Sequence, residues 1–136
     1  MYQPRTLERF IQQVDQQFPV LLLTGPRQVG KTTLLQRVQQ DDRRYVTLDD
    51  PLLYRLAKEE PALFLQRFEP PVLIDEIQYA PELLPYIKMQ VDKTRPTGSF
   101  WLTGSQPFHL MQNVSESLAG RVGIINLLGL SFRELI

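Results

Sequence analysis

The chain of 136 residues has no cysteine, which excludes disulfides and thiolate metal sites, and its single histidine, His109, cannot form a metal cluster alone. A dominant charge is missing too. With 15 basic and 15 acidic residues the formal charge is zero, so no global field draws the chain toward nucleic acid or anionic lipid. There is no apolar run long enough to span a bilayer, and Met1-Tyr2-Gln3-Pro4-Arg5 lacks the apolar core of a signal peptide. The expectation is a cytoplasmic chain with no membrane association. Internal repeats and low-complexity linkers are also absent, and only Pro70-Pro71 and the turn over 94–99 read as punctuation. The 43% of apolar residues suffice for one core, so residues 1–136 are read as a single domain.

What the chain does have is Gly25-Pro26-Arg27-Gln28-Val29-Gly30-Lys31-Thr32, which fits G-x-x-x-x-G-K-[ST], the loop that wraps a nucleotide triphosphate. The apolar run 19–24 precedes it and a helix-forming stretch over 33–38 follows, the strand–loop–helix context that the motif needs. A triphosphate must be held by many donors without steric interference. Gly25 and Gly30 open backbone conformations closed to residues with a Cβ, so N–H groups of the loop, from Arg27, Gln28 and Val29 through Lys31, Thr32 and Thr33, can converge on phosphate at a helix's positive end. Lys31 is the candidate for the β- and γ-phosphates, and the Thr32 hydroxyl for Mg²⁺. The Arg27 side chain stands either over the phosphates or in solvent.

About forty residues on, Val72-Leu73-Ile74-Asp75-Glu76 reads as Walker B. Its apolar residues make a buried strand, and Asp75 falls at the carboxyl end, where open parallel sheets bind their ligands, so that it can hold Mg²⁺ directly or through water. Glu76 is then the candidate base that polarises an attacking water. Alone, the segment would equally suit a strand followed by an acidic turn. After a phosphate loop it points to ATP hydrolysis rather than phosphoryl transfer to another acceptor.

Strand and helix alternate as a parallel sheet with crossovers requires. Five strands are predicted, Val20–Thr24, Arg44–Leu48, Val72–Asp75, Phe100–Thr103 and Val122–Leu127. A first helix runs from Thr6 to about Gln17, with Leu7, Phe10, Ile11, Val14 and Phe18 at helical spacing. Segments 51–58 and 61–68 open on proline, as helices do, and another helix covers Glu82–Lys93 with Pro85 in its first turn. Asp49-Asp50 either meets the nucleotide edge or caps the helix at Pro51, and capping is preferred. Phe100, Trp101 and Leu102 are read as sheet core.

In Leu102-Thr103-Gly104-Ser105-Gln106, at the end of the fourth strand, Ser105 is favoured over Thr103 as the polar group touching phosphate or attacking water, against the alternative of a plain Gly-Ser turn. Arg121 follows Ala119-Gly120 and is a candidate for stabilising γ-phosphate charge, in cis or on a neighbour's nucleotide, against the alternative of pairing with a carboxylate. The candidate catalytic set is thus Glu76, Lys31, Ser105 and Arg121.

Together, Gly25–Leu34, Leu73-Ile74-Asp75-Glu76-Ile77-Gln78, Leu102–Gln106 and Ser117-Leu118-Ala119-Gly120-Arg121-Val122 resemble the prokaryotic AAA-type P-loop ATPase domain of largely uncharacterised ATPases, over nearly the whole chain. The resemblance implies a three-layer α/β fold with a five-stranded parallel sheet of order 5-1-4-3-2 and helices on both faces. It implies ATP and Mg²⁺ as ligands, and allows ring oligomers. Members typically continue into a C-terminal domain, nuclease-like in some cases, which these 136 residues are not expected to include. Association with DNA rests on analogy alone, and the neutral charge lends it no support.

The end of the chain is read as Ser131-Phe132-Arg133-Glu134, a capping box announcing a helix that Leu135 and Ile136 do not complete. The expectation is a core truncated before a C-terminal domain, with the apolar stretch 124–130 left for that domain to cover. Two functions follow: an ATPase driving conformational change in an attached or partner domain, or a nucleotide-dependent switch with negligible turnover. A GTPase is disfavoured because no Asn-Lys-x-Asp segment reads guanine, and a small-molecule kinase because no arginine-rich lid is present.

Overall fold

The computed structural model describes residues 4–26, 30–39, 43–94, 96–105, 107–127 and 131–134. Its organising strand is β1 (Val20–Thr24), buried along its whole length. Side chains leave it by parity, Val20 and Leu22 into one core, Leu21 and Leu23 into another. A strand apolar on both faces is what a parallel sheet covered by helices on both sides requires.

β1 is flanked in parallel by β4 (Phe100–Gly104) and β5 (Val122–Asn126), with Val20 opposite Phe100 and Val122. β3 (Val72–Asp75) lies beside β4, and β2 (Arg44–Thr47) beside β3. The parallel strands therefore run β2-β3-β4-β1-β5, the order anticipated from the resemblance. On one face, α1 (Pro4–Gln17) and α2 (Lys31–Val38) bury Leu7, Ile11, Val14, Leu34, Leu35 and Val38. The other face is covered by α3 (Pro51–Glu59), α4 (Pro61–Arg67), α5 (Leu83–Thr94) and α6 (Pro107–Leu118), through residues such as Phe64, Ile87 and Leu118. α6 is an element that the sequence reading did not assign. Asp50 caps α3, its carboxylate accepting from the backbone N–H of Leu52 at 2.9 Å and Leu53 at 3.4 Å, with Pro51 in the first turn.

The end of the chain corrects one expectation. Ser131–Glu134 is a strand, β6, pairing antiparallel with β5 so that Asn126 faces Ser131 and Gly123 faces Glu134. A four-residue capping pattern fixes little on its own. The open edge of β5 offers that segment a backbone ladder, and the ladder prevails. In the described part of the apolar stretch before it, Ile124, Ile125 and Leu127 are all buried.

At the opposite end of the sheet, the turn into β4 is tied to α1. Trp101 Nε1 donates to Asp15 at 2.6 Å, and the Arg43 guanidinium lies over the Trp101 ring at 3.9 Å while donating to the carbonyls of Gly98 and Ser99. Trp101 is sheet core, as read. Gly98 has φ +72°, and a Cβ there would sit 2.8 Å from Asp15 Oδ1. Gly98→Ala is therefore expected to lower stability by about 2 kcal/mol, combining backbone strain with displacement of Asp15. In a urea titration the midpoint falls at unchanged slope, and an unmoved midpoint would contradict this account of the turn.

Candidate active site

Loops leaving the carboxyl ends of β1, β3 and β4 stand side by side, because those strands are neighbours or share a neighbour in the sheet. Gly25 N–H donates to Gly104 O at 3.2 Å, joining the first loop to the third. Gly30 then precedes α2 with φ +78°. A Cβ there would meet nothing within 4 Å, so the left-handed dihedral, not crowding, asks for glycine. Leu34 N–H closes the first helical bond onto Gly30 O at 2.9 Å. Lys31, Thr32 and Thr33 thus belong to the first turn, whose N–H groups lack partners within the helix and carry its positive dipole end. They line a polar cleft of about 250 Å³ together with Gly30, Asp49, Asp75 and Glu76.

Lys31 is buried, its Nζ donating to the carbonyls of Gly25 and Pro26 at 2.8 Å each. Its charge is thereby held over the loop that precedes it. Arg27, Gln28 and Val29, expected in the same cradle, lie outside the described residues, as does Gln106.

Asp75 gathers hydroxyls from three elements. Oδ1 accepts from Thr32 at 2.8 Å and from Thr103 at 2.5 Å, and Oδ2 from Tyr45 at 3.1 Å and Thr47 at 3.2 Å. The register explains the β2 donors. Thr47 is directly opposite Asp75 in the ladder, and Tyr45, two residues earlier, shares its side of the sheet. Partial burial, with the Asp75 charge adding to it, raises the Tyr45 phenol above its ordinary pKa.

Glu76 is buried and takes a left-handed backbone conformation, φ +61°, of the strained kind that clusters at functional sites. Its N–H donates to Thr103 Oγ1 at 3.0 Å, so one hydroxyl connects Asp75 to Glu76. Its Oε1 accepts from Ser105 at 3.1 Å and from Gln78 Nε2 at 3.0 Å. Ser105 and Thr103 therefore divide the work that sequence reasoning assigned between them by preference. Thr103, fully buried, holds the Asp75 carboxylate and the Glu76 backbone from behind, and Ser105, half-buried, touches the Glu76 side chain.

Asp49-Asp50 divides as well, for Asp50 caps α3 while Asp49 lines the cleft. Gln78, Tyr45 and Thr47 were missed. The strand order implied by the resemblance puts β2 beside β3, so a polar residue at the end of each was the available signal for Thr47.

Arg121 is not brought into this site. It precedes β5, at the end of the sheet opposite the loops, about 17 Å away over the length of that strand. Its guanidinium grips Asp92 at 2.6 and 3.0 Å and donates to Ala119 O at 2.7 Å. For the chain's own cleft, the geometry supports the other alternative, pairing with a carboxylate. Arg121→Ala is expected to leave turnover within twofold of wild type and to cost at most about 1 kcal/mol, as for other partly exposed ion pairs. A large loss of phosphate release would restore the arginine to the mechanism.

A family model described as an AAA domain matches residues 17–136. The chain belongs to the AAA domain family. Two curated relatives, uncharacterised proteins of Mycobacterium bovis and Mycobacterium tuberculosis, are each 40% identical over 118 residues, covering 85% of this chain and 26% of theirs. This AAA domain thus spans about a quarter of the length of the curated relatives it matches. It is an α/β domain of the nucleotide-binding P-loop type. Among its described residues no helix is long and apolar enough to cross a membrane.

The residues of this AAA domain suit the ligands that its family implies. Thr32 and Asp75 offer only oxygen and already face one another at 2.8 Å, a donor set matched to a hard divalent cation that keeps part of its water. Lys31 and the start of α2 place positive charge at the same cleft, as an oligophosphate requires.

Proposed function

We propose that this domain binds Mg·ATP in the cleft and hydrolyses it, turnover driving a conformational change in an attached or partner domain. The observation that carries the reading is Glu76, a buried carboxylate beside the Thr32–Asp75 pair and held by Ser105. Mg²⁺, held by Thr32 and Asp75, would neutralise charge on the phosphates. Lys31 and the N–H groups of the first turn of α2 bind and orient the phosphate chain. Thr103 keeps Asp75 and the Glu76 backbone in register. Glu76 orients water and takes its proton, and Ser105 aligns Glu76. A cytoplasmic setting and action on a further domain belong to the proposal. The second is supported by the greater length of the relatives.

A nucleotide-dependent switch with negligible turnover is the second reading. It is favoured by one observation, that Glu76 Oε1 already accepts from two protein donors, which occupies the lone pairs that would otherwise meet an attacking water. Titration calorimetry with Mg·ATP and Mg·GTP, followed by phosphate release on the same preparation, separates the readings. ATP binding with release supports the ATPase, ATP binding without release the switch, and no ATP binding contradicts both.

A further inference from the structure

We infer that Gln78 is a positioning residue that locks Glu76 and Ser105 into one unit; the inference rests on the ATPase reading above. Gln78 lies in the short 3-10 turn Ile77–Tyr79, which follows Glu76 directly and is anchored by the fully buried Ile77. Tyr79 N–H donates to Glu76 O at 3.2 Å and Ala80 N–H to Ile77 O at 3.1 Å, so the backbone beneath the side chain is closed.

From that base the Gln78 amide reaches across to the loop after β4. Nε2 donates to Glu76 Oε1 and to Ser105 Oγ, each at 3.0 Å, which spends both of its hydrogens. Ser105 Oγ accepts from Gln78 and donates its own O–H to Glu76 Oε1 at 3.1 Å, closing a three-membered ring of hydrogen bonds. On the other side of the amide, Gln78 Oε1 faces Ser105 N–H at 3.4 Å, which fixes which end of the amide points where. Reversing the amide would set donor against donor.

The consequence is mechanical. A glutamate side chain on its own samples several rotamers, and hydrolysis needs the one in which its oxygen meets the attacking water. Two donors from two different loops select that rotamer and tie the loop after β3 to the loop after β4. Gln78 itself neither gains nor loses a proton, and its hydrogens are committed to protein atoms. It acts through Glu76 and Ser105, not on the substrate. Glutamine is specific to this task. Asparagine is one methylene too short to reach both partners, and methionine has the length but no donors.

Steady-state phosphate release on the full chain tests the inference, comparing wild type, Gln78→Ala, Gln78→Asn, Gln78→Met, Ser105→Ala and the double variant Gln78→Ala/Ser105→Ala. Gln78→Ala is expected to lower kcat about tenfold with KM for Mg·ATP within about twofold, the signature of lost alignment rather than lost binding. Neither Gln78→Asn nor Gln78→Met rescues it, and Gln78→Met keeps the volume of the side chain should the alanine variant be too unstable to purify. In the Ser105→Ala background the same change costs less than about threefold, because the ring is already open. The inference is overturned if the Gln78 variants keep wild-type kcat, if only KM rises, or if the two losses multiply in full. With Glu76→Gln measured alongside, wild type releasing phosphate no faster than that variant contradicts the ATPase reading itself and takes the inference with it.

Discussion

Glu76→Gln is expected to lower kcat for phosphate release about 10²- to 10⁴-fold while leaving the affinity for Mg·ATP within about threefold. The amide keeps the size of the carboxylate and can still meet Gln78 and Ser105, so the surroundings change little. What it removes is the ability to accept a proton from water. The strained backbone at residue 76, φ +61°, is held by Thr103 and by the turn that follows, neither of which depends on the side-chain charge. The variant is therefore expected to fold and to retain nucleotide. Equal release by variant and wild type would exclude Glu76 as the base.

Lys31→Ala is expected to weaken Mg·ATP binding about 10- to 150-fold, corresponding to loss of a charge-assisted bond worth roughly 1.5–3 kcal/mol. Burial of Lys31 and its bonds to Gly25 O and Pro26 O add a second consequence, since truncation strips a donor from two carbonyls. Gly25 is buried and Pro26 exposed, so water can replace the donor at one of them. A modest stability cost of about 1 kcal/mol is expected alongside the loss of affinity. Calorimetric titration with Mg·ATP decides the matter, and unchanged affinity would sink the phosphate-cradle account.

Much of this architecture was legible because a parallel sheet announces itself. The runs at 20–23 and 72–74 are apolar at consecutive positions, and only a strand buried on both faces uses them so. Prolines 51 and 61 marked the starts of α3 and α4. α6 escaped although Leu110, Met111, Val114 and Leu118 stand at helical spacing in the sequence, because Asn113, Ser115 and Ser117 are indifferent helix formers and follow a Gly-Ser turn. β6 escaped because pairing with an exposed strand edge is a tertiary event that a local capping pattern does not report.

The site divides along the same line. Lys31, Thr32, Asp75, Glu76 and Ser105 are brought together at the strand ends where motif spacing put them. Tyr45, Thr47 and Gln78 contribute through contacts set by strand register and by a turn, which spacing does not encode. Arg121 is instructive in the opposite sense. Ligands of such sheets lie beyond the carboxyl ends of the strands, and a residue that precedes β5 stands at the end away from the chain's own cleft.

The central claim is that the cleft between the phosphate loop and β3 is a working ATPase site whose base is Glu76. The most direct test is single-turnover phosphate release from Mg·ATP by the purified chain, with Glu76→Gln measured in parallel. The account predicts release that needs Mg²⁺ and falls at least about a hundredfold in the variant. Release that is absent, or equal in the two proteins, would contradict it.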